Sequence, residues 1–443
     1  MSGGPYSTLL KQRGIARLLG VGMIARLPHS ALGMLLLLHL VNTLGKDWGS
    51  AGLVVALMTV GIAVGAPWRG HMVDKHGLRR ALVPSIIVEL VVWMLAPHVG
   101  FTLLMPLVFI GGLFSLPVFS VVRTSLGVMT TGQNRRSAFA LDAISTEMVF
   151  IIGPAAAGIV ATQINTSVGM TAIAIAASGS GLLLLWLNPP TSSEHPGAVR
   201  VRDADAESAG AEVAMIASAP AHLAMAEGEL LTAGLKSTKA RVARRGRSFK
   251  SRFGWVSAGV IAVFIAASGA GLVLSGSEVG IVALLDEHGN SGQLGIVFFF
   301  WCFSSLIGGL IYGSLKRSIS PIVLLLAMSV LTIPMMFATD TWTLAILSIF
   351  SGMLCAPVLS AASERLTELV PEKRRGEAMG WYGSALTGGT ALGSPLTGMT
   401  IDAMGPGAGF LGVGILGSAI CLAALFVQSL RRRRAMARVL ASR

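Results

Sequence analysis

Charge is scarce in this chain. Asp, Glu, Lys and Arg together make up 12% of its 443 residues, about half of what a soluble domain carries, so water is not its main solvent. Cysteine is scarcer still. Cys302, Cys355 and Cys421 fall inside apolar runs without metal-ligand spacing, which excludes a disulfide framework or a structural metal site and reads as inert packing. There is no G-x-x-x-x-G-K-[ST] loop, nucleophile elbow or haem-attachment pattern, so nucleotide hydrolysis does not power the protein, and neither an enzyme, a cofactor nor a metal is expected. What remains in excess is apolar: 53% of residues are hydrophobic and the mean hydropathy is +0.73.

Those residues are gathered into runs. A helix that crosses a bilayer needs about 20 apolar residues, and it satisfies its own backbone polar groups in lipid. Twelve such runs are read, at about 18–44, 51–69, 80–98, 101–123, 137–162, 167–187, 254–285, 292–313, 319–338, 342–365, 376–401 and 407–430,. The alternating pattern of a membrane barrel is absent. Lys11, Arg13 and Arg17 precede the first run, but that run continues past a signal-peptide core and is read as a retained first helix.

The net charge of +13 marks topology, not nucleic acid. With the N-terminus inside, 32 of the 34 Lys and Arg residues fall on the cytoplasmic side, leaving Lys46 outside and Arg26 within a span. The outer loops hold Asp47, Asp286, Glu287, Asp340 and Asp402, as the positive-inside rule requires. Both termini are therefore expected to be cytoplasmic, in a plasma membrane. The preference for Arg over Lys and the compact loops suggest a bacterial one.

The chain also repeats itself. A shift of 240 residues carries Gly112, Pro117, Val118 and Ser120 onto Gly352, Pro357, Val358 and Ser360. The same shift carries Gly52 onto Gly292, Arg135 onto Arg375, and Gly153 and Gly158 onto Gly393 and Gly398. Glycine and proline persist where helices approach closely or kink, so the offset points to two copies of one backbone. Parallel repeats in a membrane chain characterise secondary transporters. The expected organisation is an N-terminal six-helix bundle over 1–189, a cytoplasmic connector over 190–252 and a C-terminal six-helix bundle over 253–443. The connector ends in the basic stretch KSTKARVARRGRSFKSR, readable as a positive-inside anchor or a contact for anionic lipid. The run Arg431–Arg434 has the same two readings.

Between the second and third spans stands Gly70-His-Met-Val-Asp74-Lys75-His-Gly77-Leu-Arg79-Arg80. This resembles the G-x-x-x-D-[RK]-x-G-[RK]-[RK] signature of the major facilitator superfamily, in the right loop of a twelve-span chain. The resemblance implies an all-α membrane protein with two pseudo-symmetric six-helix bundles around a central site, working by alternating access. It further implies that the loop latches the cytoplasmic side against the eleventh span, here beginning near Gly376. The corresponding stretch Gly309–Arg317 lacks the acid, so such a latch is asymmetric. In the fifth span, Gly153-Pro154-x-x-x-Gly158 resembles part of an exporter element, although Val149 and Ala157 stand where glycines are expected and Ala140 replaces the leading one. An ordinary small-residue seam is the other reading.

Ionisable groups within spans each cost at least ~2.5 kcal/mol near the bilayer centre unless paired or hydrated, so they mark candidate sites. Arg26 lies about 14 Å along the helix from Arg17, and Glu147 about 17 Å from Arg136. Equal depth and opposite sign make them the expected pair, either as a proton-carrying Glu147 biased by Arg26 or as a permanent structural ion pair. Asp142, about 140° from Glu147 around one helix, is expected nearer a cytoplasmic gate. Glu278, about 12 Å in from the outer end of the seventh span, is a cavity candidate or a hydrated surface acid. Glu89 falls on the usually peripheral third span and ranks low. Arg123 reads as an interfacial anchor, and His29 and His39 as hydrogen-bonding histidines or titrating ones.

The leading expectation is proton-coupled export of small organic or amphipathic compounds by a monomer in the lipid bilayer, with small-molecule substrate and protons as its partners and no nucleic acid. An uptake symporter for a sugar or other nutrient is the alternative. A non-transporting sensor or scaffold is the alternative of another class.

Overall fold

The computed structural model describes residues 9–130, 132–190, 255–314, 319–370 and 375–441, and the regular elements among them are helices. In the N-terminal half these are α1 (Arg13–Leu38, continued by a π-helical turn His39–Thr43), α2 (Trp48–His76), α3 (Leu78–Leu95), α4 (Phe101–Leu113), α5 (Val118–Met129), α6 (Gly132–Gln163) and α7 (Thr166–Leu187). The C-terminal half has α8 (Ala258–Glu287), α9 (Leu294–Ser314), α10 (Pro321–Thr332), α11 (Thr341–Leu369), α12 (Arg375–Met404) and α13 (Pro406–Ala441). The connector expected over 190–252 lies outside the described residues, apart from Pro190.

Nine helices among the described residues are long and apolar enough to cross a membrane. The three other expected crossings fall short for local reasons. The fourth is broken into α4 and α5, and the ninth passes from α10 into a 3-10 turn at Ile333–Phe337. The eleventh, α12, dilutes its apolar residues with Gly, Ser and Thr. Side chains such as Leu103, Ile175 and Leu310 point outward, each at least 60% exposed. A soluble protein would bury that surface; a bilayer covers it.

Short polar side chains set the helix starts. Asp47 accepts the Ser50 N–H at 2.6 Å, Asn165 the Ser167 N–H at 2.7 Å, and Asp340 the Trp342 and Thr343 N–H groups at 2.8 and 3.0 Å. Each satisfies donors that a first helical turn leaves open. The Ser50 bonds hold the Asp47 carboxyl below its ordinary range.

The halves meet chiefly at the end bearing Asp47 and Asp402, here called distal; the end bearing the start of α1 is proximal. Asn42 Nδ2 donates to Asp286 Oδ1 at 3.0 Å. The Trp48 and Gly49 N–H groups donate to the Asp402 carboxylate at 2.8 and 2.7 Å, placing an anion on the positive N-terminus of α2. Glycines of the repeat make this seam. A Cβ on Gly398 (α12) would meet the Trp48 carbonyl, and one on Gly158 (α6) would meet the Ser291 carbonyl. These two glycines are related by the 240-residue offset, and each abuts the opposite half.

One departure from the repeat has a clear cause. Pro357 sits inside the unbroken α11, whereas its counterpart Pro117 follows a break at Phe114–Leu116. The groups freed by the break find charged partners. The Arg69 guanidinium binds the Gly112 and Leu113 carbonyls, and Glu89 Oε1 accepts the Leu116 N–H at 3.0 Å. An unsatisfied backbone group in hydrocarbon costs several kcal/mol, so the break persists only where such partners exist. In the C-terminal half the offset places Gly309 and Ser329 at those positions, and the helix stays whole.

Two sequence expectations change here. Arg69 and Arg123, read as cytoplasmic-side charges, are 3% and 4% exposed among the helices. The Gly70–Arg80 signature is not a loop: its first seven residues are the last turns of α2, and Leu78 already begins α3. The link is Gly77 alone, at φ 82°, a conformation that glycine adopts without strain.

Candidate functional site

Asp142 on α6 is the hub of the buried charges. Arg26 Nη1 on α1 donates to its Oδ1 at 2.7 Å, and Arg123 Nε on α5 to its Oδ2 at 3.0 Å. Arg26 also donates to Thr146 Oγ1 at 3.1 Å and lies over the Phe119 ring, 4.8 Å from its centroid. The three charged side chains are at most 4% exposed. Two cations share one carboxylate, so the cluster carries a net positive charge in its ionised form. This corrects the pairing expected from depth: Arg26 binds Asp142, not Glu147. Depth along a helix says nothing of direction around it, and Asp142 faces α1 and α5. Arg123 is correspondingly an ion-pair partner, not an interfacial anchor.

Glu147, five residues on, faces the other way, as their separation of about 140° around the helix requires. Its carboxyl lies within electrostatic range of the Cys302 thiol on α9, as do Cys355 and Glu278. Glu147 thus sits mid-helix on the seam between the halves, 5% exposed. No sequence spacing links residues 147 and 302.

A central cavity lies beside these groups. Both halves line it: His29, Met58, Glu89, Trp93, Phe119 and Phe150 from the first, Glu278 and Phe298 from the second. Of the four candidate ionisable groups, Glu278 lines this cavity. Arg26 and Asp142 lie behind Phe119, on whose ring Arg26 rests. The sequence reading ranked Glu89 low, yet it is a cavity residue, 1% exposed, with His29 Nε2 3.3 Å from its Oε1. A carboxylate and a histidine at comparable depth on different spans were the available signal. His39 is buried elsewhere, bonding Thr166 Oγ1 at 2.9 Å.

Of the signature residues, Arg79 donates from Nε to the Leu185 carbonyl at 3.2 Å and is exposed, as is Arg80. The side chains of Asp74 and Lys75, and the surroundings of Gly70 and Gly376, lie outside what the structure describes. In the exporter-like element, a Cβ on Gly153 would strike Ser30 of α1. Pro154 lines the cavity, and Gly158 makes the distal seam. The element is a close-packed seam in its own right. Among the described residues no group of three His, Cys, Asp or Glu side chains could hold a metal ion.

The Major Facilitator Superfamily family model matches residues 18–333 and 261–440. The chain belongs to the major facilitator superfamily. A major facilitator superfamily protein of this build is a multi-pass membrane transporter, not an enzyme. Three solved transporter structures share the fold. A point mutant of the nucleoside transporter NupG is 12% identical, with a TM-score of 0.68 over 93% of this chain and 99% of that one. A POT family transporter in complex with a thioalcohol-conjugated peptide is 15% identical, with a TM-score of 0.62 over 94% and 96%. The human organic anion transporter MFSD10 (TETRAN) is 15% identical, with a TM-score of 0.55 over 93% and 100%. At these identities the likeness is one of fold alone. The chain matches no curated protein sequence.

Proposed function

We propose that this transporter exports small organic or amphipathic compounds in exchange for protons, by alternating access of the central cavity. The observation that carries the reading is Glu147, a buried ionisable group on α6 that neighbours Cys302 of α9 at the seam between halves. If the halves part along this seam, the carboxyl gains water, and hydration changes a carboxyl's affinity for protons. A carboxyl that alternates in this way takes up a proton in one state and releases it in the other. Arg26 and Arg123 act through Asp142: the fixed cluster holds α1, α5 and α6 together and biases the field at Glu147. Glu278 supplies a carboxylate within the cavity itself.

The lining supports amphipathic cargo. Its aromatic rings and Met58 give an apolar, adaptable wall,. Lys and Arg distribution supports cytoplasmic termini in a plasma membrane of bacterial type, with the 1–189 and 253–443 bundles acting as the two moving bodies of a monomer. The signature residues Asp74 and Lys75 belong at the proximal latch.

Inside-out vesicles with an acidified interior should accumulate an amphipathic fluorophore such as rhodamine 6G, and lose it on addition of an uncoupler. Gradient-driven uptake confined to right-side-out vesicles would establish import instead. Flux of neither kind, across a panel of organic solutes, would leave the sensor or scaffold reading.

A further inference from the structure

Glu89 is held in place through one of its two oxygens. Its Oε1 accepts the Leu116 N–H at the α4–α5 break and faces His29 Nε2. Its Oε2 is buried and has no hydrogen-bond partner among the described residues. A buried polar atom left unsatisfied calls for an explanation, and Glu89 lines the central cavity. The surrounding charges do not supply the missing donor. His29 of α1 faces the other oxygen. Arg69 of α2 is engaged with the Gly112 and Leu113 carbonyls on the far side of the break. From α7, Ser178 donates to the Ile86 carbonyl. Among the described residues no Lys or Arg lines the cavity, and Arg26 and Arg123 are committed to Asp142 behind Phe119.

The carboxylates lining the cavity are Glu89 and Glu278, and its other polar side chains are His29, Ser30, Ser115 and Ser394. Trp93, Phe119 and Phe150 also line it, giving aromatic surface for an apolar body,. We propose that Glu89 is a recognition site for organic cations, its Oε2 accepting an N–H from a protonated or delocalised amine whose apolar body packs on these rings. The α4–α5 break makes this possible, because the Leu116 N–H fixes the carboxylate and leaves one oxygen for the ligand. This specificity rests on reading the cavity as the transport site, and it is tested by binding alone, without a gradient or flux.

The test uses the full chain in lipid nanodiscs, with fluorescence anisotropy of two probes that share a xanthene frame. Rhodamine 6G is a cation with N–H donors; fluorescein is an anion. Wild type should bind rhodamine 6G saturably and fluorescein at least tenfold more weakly. Glu89→Gln should weaken rhodamine 6G at least tenfold, and Glu89→Asp should restore part of the loss. Equal binding of the two probes by wild type, or preference for fluorescein, overturns the proposal whether or not the variants fold. So does undiminished rhodamine 6G binding by folded Glu89→Gln. Failure of vesicle transport with intact cation binding would instead count against the transport reading alone.

Discussion

Replacing Asp142 by alanine should destabilise the protein by about 3–5 kcal/mol, because it strands buried charge without a partner. Arg26 and Arg123 both end on this one carboxylate at 2.7 and 3.0 Å, so its loss leaves two cations to repel each other inside the bundle. The measurement is a chemical or thermal unfolding series in detergent. Removing the arginines separately should cost less, since each deletion leaves Asp142 with one partner. Replacing all three residues by apolar side chains of similar size should recover much of the loss, because a buried ion cluster adds little beyond what good apolar packing supplies. Near-additive single effects would mean that the three groups do not act as one unit.

Glu147→Gln carries the second large expected effect. Flux driven by a proton gradient should fall at least tenfold, while exchange of labelled for unlabelled substrate across the same membrane continues. The amide keeps the shape and a hydrogen-bonding group toward Cys302 but cannot release a proton. A residue that served only to tie α6 to α9 would lose both activities together. Cys302→Ser, which preserves a donor facing Glu147, should leave gradient-driven flux near wild type.

The parts of this molecule written into local sequence were readable. Of the glycines matched by the 240-residue offset, Gly52, Gly158 and Gly398 stand where backbones of opposite halves touch, and Gly112, Gly352 and Gly393 stand against backbone of their own half, because a Cβ would not fit at either kind of contact. Nine of the twelve crossings read as apolar runs are likewise helices long and apolar enough to span among the described residues. The α4–α5 break was not readable, since its proline is present in both halves and only one half breaks. What decides is whether Arg69 and Glu89, from two other helices, stand ready for the freed carbonyls and N–H. The partner of Arg26 was missed for a related reason: depth can be counted along a chain, but the facing of α6 toward α1 is set by packing. Glu89 was ranked low because its place on the cavity wall is set by neighbouring spans.

The most direct test of alternating access is a pair of spin-label distances. One pair joins Thr43 to Glu287 across the distal seam, and the other joins His76 to Glu368 at the proximal end. Two rigid halves pivoting about the cavity require the distal distance to lengthen as the proximal one shortens, with the populations shifting on acidification and on addition of substrate. Distances that remain single and unchanged under all these conditions would contradict the account.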